Sequence, residues 1–185
     1  MGLHSTLEEL ATRLDRAGCR WALIGGVALA LAGHARTTFD IDLLVDEDDL
    51  AKLDACLAEL GYGLVYRWIE SSHYTATAGA PPIDVLHARR PSTRGMLERA
   101  RSRILPPGAT MISVVETEDL IGLKIQAFRN DPERRRGDLV DIRALIEVAT
   151  PSGELDMGRV TEYFALFGEQ ATLAELLVGV GDADR

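Results

Sequence analysis

Residues 25–42 read GGVALALAGHARTTFDID, and this stretch decides the fold. The pair Gly25-Gly26 closes the apolar run Trp21-Ala22-Leu23-Ile24, while Asp40 and Asp42 alternate within the strand-like segment Phe39 to Val45. Side chains at i and i+2 of a strand share a face, so both carboxylates aim at one spot. Two carboxylates that close repel unless one protonates or a cation sits between them. The neighbours Ile41, Leu43, Leu44 and Val45 make the strand a buried one, which weighs against two solvated acids on a sheet edge. A divalent metal is the natural occupant. Magnesium takes one or two carboxylates and completes its shell with waters and substrate phosphates. The order strand, glycine pair, helix, acidic strand also places a helix start near the metal, where the backbone favours phosphate. Phosphate seat and metal dyad together are equipment for phosphoryl transfer.

If two metals clamp the attacking and leaving oxygens, a third acid is expected. Asp84 is the best candidate, set inside the short apolar run Pro82-Ile83-Asp84-Val85-Leu86. There it would share a metal with the dyad and take up the proton of an attacking hydroxyl. The alternative is an ordinary turn aspartate following Pro81-Pro82.

Working outward, Thr6-Leu7-Glu8-Glu9 reads as a capping box, opening a helix with Leu7, Leu10, Ala11 and Leu14 on one face that Gly18 stops. Arg20 to Ile24 is a short buried strand, Val27 to Ala32 a small buried helix. Leu50, Leu53, Leu57 and Leu60 stripe another helix ended at Gly61. Strands are expected over 64–69, 74–77 and 83–86, then a helix over 96–102 within an arginine-rich segment, and a last strand over 111–115. Beyond Thr117 the pattern is helical: 117–129, 133–149, 156–167 and 170–178, with a frayed tail from Gly179. The fold class is therefore α/β (α+β), with a catalytic core over 1–110 and a C-terminal helical region over 111–185.

Composition narrows the function classes. With 46% hydrophobic residues in 185 the chain can build a real core, and no apolar run is long enough to span a membrane, so a cytoplasmic protein is expected. A net charge of −9 argues against sequence-blind binding to nucleic acid by bulk charge. Local basic sites stay open, because Arg89, Arg90, Arg94, Arg99, Arg101 and Arg103 form one clump and Arg129, Arg134, Arg135 and Arg136 another. Cys19 and Cys56 read as buried small hydrophobes. The four histidines have no partners at zinc-like spacing, and Trp21 and Trp68 suit core or groove packing.

The hydrophobe-Gly-Gly…Asp-Ile-Asp pattern resembles the signature of the polymerase-β-type nucleotidyltransferase superfamily, with Gly26 where many members carry serine. Arg36-Thr37-Thr38 before the dyad, Leu123-Lys124 with Ala127, and Asp138 with Asp141 further resemble the small bacterial AbiEii-like toxins. This resemblance implies a small mixed β-sheet flanked by helices, with the helical half closing over the nucleotide. It implies Mg2+-dependent transfer (two ions, with Mn2+ an alternative) of a nucleoside monophosphate from NTP to an acceptor hydroxyl. Asp40, Asp42 and Asp84 would hold metal, Gly25 and Gly26 would seat phosphates, and Lys124 would contact the triphosphate. Arg36 would either neutralise phosphate or pair with an acid of the dyad. Asp138 and Asp141 share a helix face and would orient Lys124 or an arginine, in preference to ligating metal. As in the toxins, the acceptor could be RNA or tRNA, with an antitoxin as partner. A small-molecule acceptor of the antibiotic type, or a non-catalytic nucleotide-binding or interaction module of the same fold, are the alternatives.

Overall fold

The computed structural model describes residues 2–76, 79–151, 153 and 155–180. The chain divides into two compact units, one of residues 1–31 and 36–116, the other of residues 32–35 and 117–185.

The first unit is built on a seven-stranded mixed sheet in the order β3-β4-β5-β2-β1-β7-β6. The strands are β1 (Trp21–Ile24), β2 (Ile41–Asp46), β3 (Tyr62–Arg67), β4 (Ser71–Ala76), β5 (Ile83–Ala88), β6 (Arg101–Ile104) and β7 (Met111–Val114). The helices of this unit are α1 (Leu3–Arg16), α2 (Gly25–Leu31), α3 (Leu50–Glu59) and α4 (Pro91–Arg99). β2 occupies the centre, antiparallel to β1 and parallel to β5. That position explains its near-continuous apolar run: Ile41, Leu43, Leu44 and Val45 are fully buried. α2 packs against β1 and β2, α4 against β2 and β5, and α1 against α3. α1 buries Leu7, Leu10, Ala11 and Leu14.

Two sequence expectations are corrected here. The capping box at Thr6 does not form. α1 starts four residues earlier, with Gly2 as N-cap and no side-chain cap bond, and Thr6 lies buried inside the helix. The helix expected over 96–102 ends at Arg99 and is followed by β6, antiparallel to β7. Pro91 at the first turn sets the earlier start. All four residues of β6 are exposed on the sheet edge, so the strand has no buried face to imprint an alternating pattern. Of the strand expected over 74–77, Thr77 lies outside the described residues; of the tail expected from Gly179, residues 181–185 lie outside them, while 179–180 still belong to the last helix.

The second unit holds α5 (Thr117–Asn130), α6 (Arg135–Ala149), α7 (Met157–Leu166) and α8 (Gln170–Val180); α5 packs against both α6 and α7, and α7 against α8. Ile121, Ile125, Phe128, Ile142, Leu145, Ile146, Val160 and Phe164 form its core. Among the described residues no helix is long and apolar enough to cross a membrane.

Candidate active site

Asp42 is the second residue of β2 and Asp40 precedes the strand by one, so the two share a face. The parallel register sets Asp42 directly opposite Asp84 of β5. Asp40, Asp42 and Asp84 are half-buried, and each offers a carboxylate oxygen within 4.8 Å of the others'. Three like charges at that separation, on two central strands, are an unfavourable arrangement without a cation. An all-oxygen donor set suits a hard divalent ion such as Mg2+ or Mn2+.

The glycine pair is required by the same acids. Gly25 turns the chain from β1 into α2 at φ +65°, and a Cβ on it would lie 1.9 Å from Asp42 Oδ2. Gly26 donates its backbone N–H to Asp42 Oδ2 at 3.4 Å. A Cβ there would fall 2.5 Å from the Thr38 hydroxyl, which itself donates to Asp40 Oδ1 at 2.5 Å. Each glycine thus makes room for one acid or for that acid's hydrogen-bond partner. In the sequence Thr38 is legible only as part of the Arg36-Thr37-Thr38 motif; its role as hydrogen-bond partner of Asp40 comes from the structure. Arg36 is exposed in the segment leading to β2.

A second polar cluster lies wholly within the second unit. Lys124 Nζ donates to Asp138 Oδ1 at 2.8 Å and to Asp141 Oδ2 at 2.5 Å. All three side chains are nearly buried, Lys124 being 11% exposed. His34 Nε2 meets Asp141 Oδ1 at 3.0 Å, and Arg134 Nε lies 3.4 Å from Asp138 Oδ2. The helix-face reading of Asp138 and Asp141 placed them together; His34, 107 residues away from Asp141 in the chain, gave no local signal.

Over residues 1–177 the sequence matches the family described as uncharacterised nucleotidyltransferase. The chain belongs to that family. Among solved structures, this nucleotidyltransferase is similar to the antibiotic-resistance factor ANT(2'')-Ia, at 15% identity over 93% of this chain and 94% of the other, with a TM-score of 0.66. An antigenic nucleotidyltransferase-like protein from Paracoccidioides brasiliensis aligns at 20% identity over 95% and 91% of the two chains, with a TM-score of 0.59. The lincosamide antibiotic adenylyltransferase LnuA aligns at 14% identity over 80% and 98%, with a TM-score of 0.54. At such identities the likeness is one of fold. Among curated protein sequences none matches significantly.

The arginine clumps of this nucleotidyltransferase are largely spent on its own acids. Arg89 bonds Glu47, Arg90 bonds Glu70, and Arg101 bonds Glu116. Arg94 reaches Glu47, Asp48 and Asp46. Arg135 forks onto Glu169 at 3.0 and 2.9 Å while lying over the Phe128 ring. Together with Thr172 and Arg129 it holds the Glu169 carboxyl down at about 2. Cys19 and Cys56 are free and buried, and burial beside Asp49 pushes the Cys19 thiol up to about 12. Trp21 is buried, its indole N–H on Asp15, whereas Trp68 is 70% exposed and belongs to no core.

Proposed function

We propose that this protein transfers a nucleoside monophosphate from an NTP to the hydroxyl of a small-molecule acceptor, releasing pyrophosphate. The observation that carries the reading is the convergence of Asp40, Asp42 and Asp84 from two adjacent central strands. These three carboxylates would hold Mg2+, which when bound supplies positive charge against the triphosphate. Gly25 and Gly26 would let the phosphates approach the backbone closely, and Arg36 would add a cation on the approach. The acceptor oxygen bonds to the α-phosphorus as its proton passes to Asp84. The bond from that phosphorus to the bridging oxygen breaks, and its electron pair leaves with pyrophosphate.

The small-molecule acceptor is favoured over RNA on charge. The chain carries −9 overall, and most arginines of its two clumps are already paired with carboxylates, so little cationic surface is left for a polyanion. Two fold neighbours of similar length have structures with adenylyl-2''-tobramycin and with lincomycin, which lends support to an acceptor of that size.

The test is transfer of label from each α-labelled NTP with Mg2+, offered small hydroxylated compounds, total RNA and protein as separate acceptors. Label in the small-molecule fraction, lost in Asp40→Asn and Asp42→Asn, is the expected result. Label in RNA would move the acceptor class, and label in no fraction would favour a non-catalytic nucleotide-binding module.

A further inference from the structure

On one face of the sheet the register lines up a row of side chains running from the acids to the free edge at β3. Asp42 is opposite Asp84, Asp84 is opposite His73, and His73 is opposite Tyr66. Directly opposed residues of neighbouring strands point to the same face. The last pairing depends on an irregularity. Starting from Leu64 opposite Tyr74, regular antiparallel pairing would set Val65 against His73. A bulge between Leu64 and Tyr66 advances β3 by one residue and presents the phenol ring instead.

The contacts follow the register. His73 Nδ1 lies 2.7 Å from Asp84 Oδ1. An ionised carboxylate can only accept, so the hydrogen sits on Nδ1 and the tautomer is set by the acid. Tyr66 stacks on the imidazole of His73, with ring centroids 5.5 Å apart and planes 14° from parallel. Asp84 needs such help. Its side chain is 42% exposed, so its carboxylate has room to turn unless a partner holds it.

We propose that His73, braced by Tyr66, is a positioning residue that holds one oxygen of Asp84 and so fixes the orientation in which that carboxylate meets Asp40 and Asp42. This rests on the reading of Asp84 as the third metal-holding acid. Partners of this kind, one step behind a metal ligand, are worth about 10- to 100-fold in metal affinity or activity.

The test uses the full chain and Mn2+ alone, with binding followed by electron paramagnetic resonance, and the kcat and KM for NTP measured in parallel. His73→Ala should weaken Mn2+ binding about 10- to 100-fold and lower kcat with little change in KM. His73→Phe, which keeps a ring for Tyr66 but has no donor, should fall with it. His73→Asn, which restores an N–H near the Nδ1 position, should recover binding to within a few-fold of wild type. Equal Mn2+ affinity in all four proteins overturns the inference, as does a Phe variant equal to wild type or an Asn variant no better than Ala. Wild-type protein that binds no Mn2+ fails the underlying reading of the acidic triad instead, so the two failures are distinguishable.

Discussion

Replacing Gly25 with alanine tests whether the glycine serves Asp42. Two costs are combined at this position. The backbone sits at φ +65°, where an L side chain costs about 1–2 kcal/mol. The added Cβ would also lie 1.9 Å from Asp42 Oδ2, 2.3 Å from its Cγ and 2.5 Å from its Cβ. No rotation of the Asp42 side chain removes the last overlap, so β2 or the start of α2 must shift and the carboxylate must leave its present place. Gly61 provides the control: its φ is +81°, yet a Cβ there meets nothing within 4 Å. Gly61→Ala should therefore lose only the backbone cost, about 1–2 kcal/mol in urea unfolding, and keep its Mn2+ affinity and turnover. Gly25→Ala should lose that amount plus an overpacking cost of about 1–3 kcal/mol, and its Mn2+ binding and nucleotidyl transfer should drop at least tenfold. Gly25→Ala protein indistinguishable from Gly61→Ala in stability and Mn2+ affinity would refute the argument that the glycine exists to admit Asp42.

Three further outcomes follow from the second unit. Lys124→Met leaves Asp138 and Asp141 buried without their ammonium. It should destabilise by about 3–5 kcal/mol in chemical denaturation, largely recovered when Asp138→Asn and Asp141→Asn are added; no recovery would contradict a charge-based role. Glu169 is depressed from 4.5 to about 2, chiefly by its bonds to Arg135, so its stabilisation is complete above about pH 4.5 and is lost as pH falls toward 2. Because Arg135 and Arg129 are partly solvent-screened, Glu169→Gln should cost about 1 kcal/mol at pH 7. The gap from wild type should shrink at pH 3, and a gap that stays constant with pH would count against the ion pair. Gly122→Ala would bring a Cβ within 2.7 Å of the Tyr163 ring, whose hydroxyl donates to buried Asp119. A thermal-unfolding loss equivalent to about 1–3 kcal/mol is expected, and an unchanged melting temperature would show that the ring can move aside freely.

The sequence alone determined the features that rest on local pattern. Alternation put Asp40 and Asp42 on one face, the glycine pair marked the turn from strand to helix, and spacing of three put Asp138 and Asp141 together. The run of helices after Thr117 was legible for the same reason, since each buries a stripe with a period near 3.6 residues. Tertiary structure alone decided what depends on pairing between distant segments. The opposition of Asp42 to Asp84, the placing of His73 behind Asp84, and the contact of His34 with Asp141 are set by strand register and helix packing. A bulge of one residue chose Tyr66 over Val65 as the partner of His73. β6 leaves no signature in the sequence because an edge strand exposed along its length carries no apolar period. The arginine clumps looked like open basic surface until folding brought acids from elsewhere in the chain to meet them. Local periodicity reports which face of an element is buried; it carries no information on which residue of another element lies across from it, and the chemistry of this site depends on that opposition.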